Sequence, residues 1–342
     1  MNKAIKYGIN GAVIGAGVLA FIEVFKQLSE KERANGFDWV SVFKSAAKGA
    51  TIGAVGGLIV GAIEDDRMNE TLIAAGGIGG VINEALENYS DESKFFLIRK
   101  AESLQRKLGC KFKGLLSCAP TFNGSIQRGT SIASSDIDIN LRFTKEAGTV
   151  SKIRSIVEEY LTNEFSDSSL VDVRSQEHSI GLFFSIQREQ CRIDVVPMRE
   201  IENGKGDTFI FSTKRETIKK TNAIRQNKVL RFTEKQKHII KLLKGWKIEN
   251  NVHIPSVFLE HLVVRAYEDV YVPRGLKNAL FTIIEYIGNE IPTIRIVDPA
   301  NTNNIISESL TYQNKEQIQE FCFKMLGDIK KDERNILDYF SI

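Results

Sequence analysis

The chain has 342 residues, 42% apolar and 26% charged, with 26 Gly, 6 Pro and 4 Cys, which suits about two globular domains and excludes a disordered chain. Cys110, Cys118, Cys191 and Cys322 form no C-x-x-C pair and have no histidine at ligand spacing, so a disulfide scaffold and a zinc knuckle are excluded and a reducing, cytoplasmic compartment is expected. The net charge of +3 is too small for a general nucleic-acid coat, but it is uneven: residues 1–90 carry 8 basic and 10 acidic groups, the remainder 38 and 33.

Residues 1–90 read as an α-helical extension built on small residues. Three apolar runs, Gly8 to Ile22, Gly49 to Ile63 and Leu72 to Ile82, are each expected to be a helix, with charged stretches between them. Gly49, Gly53, Gly57 and Gly61 recur every fourth residue, and Gly11/Gly15 and Gly76/Gly80 repeat the spacing, placing glycines on one stripe where a second backbone approaches closely. A run of 15 residues such as Gly8 to Ile22 makes a helix of roughly 22 Å, short of the roughly 30 Å of hydrocarbon in a bilayer. Two readings stay open: a packed hairpin through which the chain forms a homo-oligomer, and a hairpin that associates with a membrane. No small-x-small cleavage site follows the first run, so a secretory leader is not expected.

From about Asp91 the pattern becomes mixed. Glu92 to Leu108 reads as an amphipathic helix with Phe95, Ile98, Ala101, Leu104 and Leu108 on its apolar face. Gly114 to Ala119 reads as a short strand, and Asp136 to Phe143 alternates strictly, with Ile137, Ile139, Leu141 and Phe143 on one side. Val150 to Phe165 reads as a helix, Ile180 to Ile186 as a second alternating strand, and Arg192 to Val196 as a third. Thr213-x-x-Glu216 has the form of a capping box opening a helix, Thr233 opens another running to about Glu249, and the rest is mostly helical.

The chemistry concentrates between Phe122 and Phe143. Asp136 and Asp138 are two apart on a strand, so their carboxylates share a face and repel; a divalent cation relieves that repulsion, whereas a solvated strand face is the alternative. Gly124-Ser125 lies shortly upstream, where a glycine lets backbone approach a phosphate and a hydroxyl can hold its oxygens. In Arg192-Ile193-Asp194-Val195-Val196 a lone acid interrupts a β-branched strand and shares a face with Arg192 and Val196. His178, His238, His253 and His261 have no partner spacing for a triad or a metal. The basic run Lys214, Arg215, Lys219, Lys220, Arg225, Lys228 and Arg231 reads as a solvated face, or as a guide for an anionic product or an activating nucleic acid.

Gly-Ser, an acid-x-acid strand and a third acid on a neighbouring strand resemble the nucleotidyltransferases of the DNA polymerase β superfamily. Further residues resemble the cyclic-oligonucleotide synthases of bacterial antiphage defence (CD-NTases) and the animal oligoadenylate synthases. These are Ile239-Ile240-Lys241-Leu242-Leu243-Lys244-Gly245-Trp246-Lys247, the segment Ile254-Pro255 through Leu259-Glu260-His261-Leu262, and Asp298-Pro299-Ala300-Asn301 with Asn303-Asn304. The resemblance covers about Asp91 to Ile342 and leaves the Gly-rich start unexplained.

That resemblance implies an α+β fold: a polymerase-β-like mixed-sheet catalytic lobe over 91–212, a helical lobe over 213–342 completing the nucleotide cleft, and the Gly-rich helical extension over 1–90. It implies that Asp136 and Asp138 bind two Mg²⁺ ions, with Mn²⁺ as an alternative, and that Asp194 completes the acceptor-side metal site. It further implies that Gly124 and Ser125 grip the donor triphosphate, and that Lys241 and Lys244, three apart on one helix, face the cleft and bind phosphate, a solvated helix face being the alternative for the lysines. The implied activity is polymerisation of nucleoside triphosphates into a short cyclic or linear signalling oligonucleotide, read by a separate effector protein in antiphage defence. A linear DNA oligomer of the Hailong type, a toxin-type transfer of one nucleotide to a protein hydroxyl, and a catalytically silent sensor or scaffold are the rival readings.

Overall fold

A computed structural model describes residues 67–90, 94–186, 188–202, 205–299 and 301–342. The chain divides into two compact units, Met1–Gly77 and Ile78–Ile342. The runs Gly8 to Ile22 and Gly49 to Ile63, with the Gly49–Gly61 stripe, lie outside the described residues. Among the described residues no helix is long and apolar enough to cross a membrane.

The run Leu72 to Ile82, expected to be one helix, is broken. Gly76 and Gly77 take φ +80° and +78°, and the Gly77 and Gly76 N–H groups donate to the carbonyls of Leu72 (2.8 Å) and Ile73 (3.0 Å), a glycine-terminated helix end. Helix α1 then runs from Ile78 to Asn88. Its Ile78, Val81, Ile82 and Ala85 are buried, so this helix, expected in the extension, belongs to the second compact unit.

Helix α2 (Phe95–Lys111) buries Leu97, Ala101, Leu104 and Leu108. Phe95 is 56% exposed, contrary to the expected stripe; the spacing of four, three and four that starts at Leu97 is the one that meets the core. The expected strand Gly114 to Ala119 is a turn: Gly114 takes φ +88°, and only Leu116 bridges to Phe143. The strand comes later, β1 at Thr121–Asn123, followed by the short helix α3 (Gly124–Arg128) and strand β2 (Ile137–Phe143). Helix α4 (Val150–Asn163), capped by the Thr149 hydroxyl, leads to β3 (Leu170–Ser175), β4 (Ile180–Ile186) and the long β5 (Glu189–Glu200). Strands β6 (Thr208–Ser212) and β7 (Thr217–Thr221) form a hairpin. Its turn is Thr213 to Glu216, the segment expected to cap a helix. Glu216 takes φ +51°, and the Thr213 hydroxyl donates to the Gln176 carbonyl at 3.0 Å. Alternation in Thr208–Ser212, with Thr208, Ile210 and Ser212 buried, outweighs the local cap signal.

The strands form one mixed sheet in the order β1-β2-β5-β4-β3, with β6 also paired to β5 and β7 to β6. Strands β2 and β5 are parallel, the other pairs antiparallel. One face of the sheet is the core. Ile137, Ile139, Leu141 and Phe143 of β2, Ile180, Leu182 and Phe184 of β4, and Ile193 and Val195 of β5 pack beneath the apolar stripes of α2 and α4. The odd-even pleat therefore sends Asp136, Asp138, Asn140 and Arg142, together with Arg192 and Asp194, to the opposite face.

Helices α5 (Ala223–Val229), α6 (Glu234–Glu249), α7 (Ser256–Asp269), α8 (Leu276–Glu290) and α9 (Tyr312–Lys331), with the small β8 (Val297–Asp298) and β9 (Asn301–Ile305) hairpin, complete the unit. Helix α6 opens on a capping box of Thr233 and Gln236, as expected for Thr233. It is buried almost all round, with Trp246 against Phe321 at 5.6 Å between ring centroids. A Cβ on Gly245 would collide with the ring of Tyr89, so α6 accepts the chain leaving α1 only at a glycine.

Candidate active site

The sheet register brings the sequence's three acids together. Asp138 of β2 stands opposite Asp194 of β5 on adjacent parallel strands. Asp136 precedes β2 by one residue on the same face, and Asn123, the last residue of β1, pairs with Asp138 from the other side. Helix α3 starts at the next residue, Gly124. There φ is +64°, and a Cβ would collide with Oδ2 of Asp138. Glycine is thus required at that position twice over, by the left-handed backbone and by contact with the carboxylate. Gly181 of β4 has a related part: it stands opposite Asp194, where a Cβ would come within 3.2 Å of Asp194 Oδ1 and collide with the Gln176 amide. Ser125 follows Gly124 on α3, half-buried, and its carbonyl accepts from the Thr130 N–H at 2.9 Å.

The three acids are not electrically at rest. Burial, and then the charge of Asp136, push the Asp138 carboxyl up to about 6, although Arg128, Arg192 and Lys244 pull the other way. Burial pushes Asp194 up to about 7, with Arg192 opposing and Asp136 and Asp138 adding. Arg192, two residues before Asp194 on the same face, supplies the local counter-charge: Nη2 donates to Asp136 Oδ2, and Nε lies 3.4 Å from Asp194 Oδ1. That Asp194 oxygen is buried and makes no hydrogen bond.

The donor set fits hard divalent cations, which take carboxylate oxygens. A buried carboxylate oxygen without a hydrogen bond, two carboxyls raised by burial and mutual repulsion, and a guanidinium drawn onto them are what an acid cluster built for added positive charge shows. As placed, the carboxylates do not close on one point. Among the described residues no three His, Cys, Asp or Glu side chains are grouped as an ion site, and Asp136 accepts from Arg192 Nη2.

Lys244 differs from its expected place. It is 2% exposed and donates to Glu260 Oε1 (2.7 Å), the Thr130 carbonyl (3.0 Å) and the Thr130 hydroxyl (3.1 Å). Glu260 of α7, fully buried, also accepts from the Thr130 hydroxyl (2.6 Å) and from Arg128 Nε (2.8 Å). Burial opposes the charge on Glu260, but Lys244, Arg128 and these hydrogen bonds hold its carboxyl below the usual range. The network ties the end of α3 to α6 and α7. A second buried lysine, Lys94, grips the same loop, donating to the Ser131 hydroxyl at 3.3 Å and to the Ser135 carbonyl. The chain between α3 and Asp136 is thus clamped from two sides. Lys241 is half-buried one turn before Lys244.

Sequence reasoning missed Arg128, Thr130, Glu260 and Gly181. Glu260 did leave a signal, an acid inside the apolar run Phe258-Leu259-Glu260-His261-Leu262, since a buried acid requires a partner. Arg128 and Thr130 had none.

Beside the acids, on the same sheet face, lies a pocket of about 720 Å³. Its floor is Thr121 and Asn123 of β1, Asn140 and Arg142 of β2 and Met198 of β5; α3, α5 and the segment from Leu230 to Lys237 wall it.

A mixed sheet with helices covering its apolar face, a Gly-Ser turn against an acid-x-acid strand and a third acid in register on the parallel neighbour define the polymerase-β-like nucleotidyltransferase fold. No protein-family model matches the sequence, and no curated protein matches it. Solved structures do. CdnC of E. coli MS115-1 with ATP superposes with a TM-score of 0.59 at 16% identity, over 76% of this chain and 95% of that one. The CD-NTase CdnG of Bradyrhizobium diazoefficiens with GTP gives 0.61 at 12%, over 76% and 93%. The Vibrio cholerae cyclic AMP-GMP synthase DncV, in complex with the linear intermediate 5′ pppA(3′,5′)pG, gives 0.51 at 14%, over 81% and 91%. CdnC is also known in complex with HORMA-deltaN. The chain shares the fold of these proteins.

Proposed function

We propose that the chain is a metal-dependent nucleotidyltransferase that joins nucleoside triphosphates into a short signalling oligonucleotide, releasing pyrophosphate. The observation that carries this is the register of Asp138 with Asp194, with Gly124 held against the Asp138 carboxylate. Asp136, Asp138 and Asp194 would hold two Mg²⁺ ions, which when bound supply charge neutralisation for the attacking and leaving oxygens. The chain's own part is to place and to orient. Gly124 lets α3 begin against Asp138, so that the Ser125 hydroxyl and the first N–H groups of the turn stand where a triphosphate would approach. Arg192 balances the acids until added charge replaces it, and the Lys244–Glu260–Thr130 network fixes the turn. Lys241 is kept as a phosphate contact at the rim, whereas Lys244 acts through Thr130. The catalytic lobe takes in residues 91–221, beyond the expected boundary at 212, because β7 pairs with β6 in the sheet; 222–342 is the helical lobe, and the extension expected over 1–90 serves self-association or membrane attachment. A separate effector protein reads the product, and a protein partner of the kind seen with CdnC is in keeping with the fold.

The test is incubation of the purified protein with all ribo- and deoxyribonucleoside triphosphates and Mg²⁺, with products resolved by mass. Free oligonucleotide from the wild type, and none from Asp138→Asn or Asp194→Asn, is expected. Label appearing on protein, or equal incorporation by the variants, would overturn the reading. The masses also separate ribose from deoxyribose and cyclic from linear products.

A further inference from the structure

The turn between β3 and β4 is held more firmly than a hairpin turn requires. Buried Arg154 of α4 commits its guanidinium to it: Nη2 donates to the Ser175 hydroxyl (3.0 Å), the Gln176 carbonyl (2.7 Å) and the Ser179 carbonyl (2.8 Å). The β6–β7 turn braces it as well, the Thr213 hydroxyl donating to the Gln176 carbonyl (3.0 Å) and the Thr213 N–H to the Glu177 carbonyl (2.9 Å). A buried cation is costly unless its donors are satisfied, and here they meet the backbone of one turn. Gln176 is thereby fixed, and its own N–H donates to the Ser179 carbonyl at 2.9 Å. Its side-chain oxygen lies 3.4 Å from the Ser179 hydroxyl, which leaves the amide nitrogen directed at Gly181. Gly181 stands opposite Asp194 in the β4–β5 register. The point that a Cβ there would occupy is 3.2 Å from Asp194 Oδ1 and nearer still to Gln176 Nε2. An amide donor and a carboxylate oxygen thus border the same small space over one glycine. Oδ1 is buried without a hydrogen bond, and among the described residues the one hydrogen bond of the Gln176 side chain is that accepted by its oxygen.

We propose that Gln176 is a positioning residue for Asp194: its Nε2 donates to Oδ1, and the carboxylate then presents its second oxygen toward Asp138 on the neighbouring strand. The inference rests on the nucleotidyltransfer reading above, in which Asp194 holds a metal ion. A carboxylate on a central strand can lean toward either neighbour. Strand β4 lies on one side of β5 and β2 on the other, so an oxygen fixed over Gly181 leaves its partner for the β2 side, where Asp138 stands. Arg192 leaves that oxygen unsatisfied: Nη2 is drawn to Asp136, and Nε lies 3.4 Å from Oδ1 without a hydrogen bond. Its charge also competes with a metal ion, whereas a neutral amide orients a ligand oxygen without competing. Glycine at 181 is the condition for the contact, because a Cβ would push the amide away. Outer partners that orient the ligands of a metal are worth about 10–100-fold in metal affinity or activity.

The experiment titrates the full chain with Mn²⁺, read by electron paramagnetic resonance, and compares wild type with Gln176→Met, which keeps the length of the side chain and loses the donor. Gln176→Met is expected to bind Mn²⁺ about tenfold more weakly. Its melting temperature without metal should be unchanged, because Arg154 and Thr213 hold the turn by its backbone, and this separates lost orientation from lost folding. In the Asp194→Asn chain the same substitution should not alter the Mn²⁺ binding that Asp136 and Asp138 retain, since the carboxylate it orients is gone. Glu177→Gln, on the same turn with its side chain directed to the Ser212 hydroxyl, is the control and should match wild type. In the second arm, nucleotide incorporation with Mg²⁺, Gln176→Met should lower kcat about tenfold and leave KM for the incoming triphosphate unchanged, because Gly124 and Ser125 are untouched. Unaltered Mn²⁺ binding by Gln176→Met would overturn the proposal, as would an equal loss in the Asp194→Asn background or a KM rise with kcat unchanged. Weaker Mn²⁺ binding by the variant, with no nucleotide incorporation by wild type, would uphold the Gln176–Asp194 contact and tell against the nucleotidyltransfer reading instead.

Discussion

Two charge clusters lie close together on the same side of the sheet and obey opposite rules. Around Glu260, two cations and a hydroxyl meet one carboxylate at hydrogen-bonding distance, and the acid is held below its usual range. Around Asp138, three carboxylates meet one arginine, and two of the acids are raised to about 6 and about 7. The first cluster is complete within the chain. The second lacks positive charge, and that deficit, more than the presence of acids, distinguishes a site prepared for cations from a structural ion pair. The two are coupled mechanically through Thr130, since the loop that Lys244 holds ends at Asp136.

The largest expected effect breaks the complete cluster. Glu260→Ala leaves Lys244 in the interior without its carboxylate, and loss of one partner of a buried pair costs about 3–5 kcal/mol. Denaturant unfolding should show that loss, whereas Lys244→Met/Glu260→Leu should recover most of it. A Glu260→Ala chain as stable as wild type would mean that the network does not brace α3.

The second effect sharpens the deficit. Asp138 and Asp194 have folded-state pKa values above the roughly 3.9 of an unfolded Asp. Between about pH 4 and 7 the folded chain therefore keeps protons that the unfolded chain has released, and stability falls as pH rises through that window. In EDTA, stability from pH 5 to pH 8 should fall by on the order of 4 kcal/mol more for wild type than for Asp138→Asn/Asp194→Asn. Mg²⁺ should offset the fall at pH 8 for wild type alone. Parallel pH profiles for the two proteins would remove the charge deficit from the account.

The two clusters were also unequally legible in the sequence. Alternation in Ile137 to Phe143 and a lone acid in Arg192 to Val196 sufficed to place three carboxylates on one face, because strand pleat is a local rule. The strand before Gly124 was misplaced to Gly114–Ala119, since Gly114 turns left-handed and a six-residue apolar stretch does not disclose that. Thr213 and Glu216 matched a capping pattern, but the β-branched residues on both sides formed a hairpin that used them as its turn. Lys244 was misdirected for a different reason. Helix α6 buries Ile239, Ile240, Leu242, Leu243, Gly245 and Trp246, so it has no broad solvated face, and where a lysine points depends on an acid on another helix.

A third substitution acts where the clusters meet. Gly124→Ala forces φ +64° on a residue with a Cβ and drives that Cβ into the Asp138 carboxylate. The backbone alone costs about 1–2 kcal/mol, and displacement of Asp138 should abolish incorporation even where the chain still folds. Wild-type activity in Gly124→Ala would show that the contact is incidental.

The smallest effect on stability addresses the single cation of the deficient cluster. Arg192 is partly exposed, with 32% side-chain accessibility against 38% for Asp136, so an ion pair of this kind contributes about 1 kcal/mol or less. Arg192→Gln should therefore lower the melting temperature only slightly in EDTA. Its effect on charge should be the larger one. With the guanidinium gone, Asp194 loses the cation that opposes its rise, the fall in metal-free stability should move to higher pH, and the three carboxylates should bind Mn²⁺ more tightly than in wild type, because the ion no longer displaces a resident cation. Titration followed by Mn²⁺ electron paramagnetic resonance reads this without any turnover. Weaker Mn²⁺ binding in Arg192→Gln would mean that the arginine organises the acids, and the contrast between a cluster complete in itself and one awaiting charge would then have to be redrawn around Arg192.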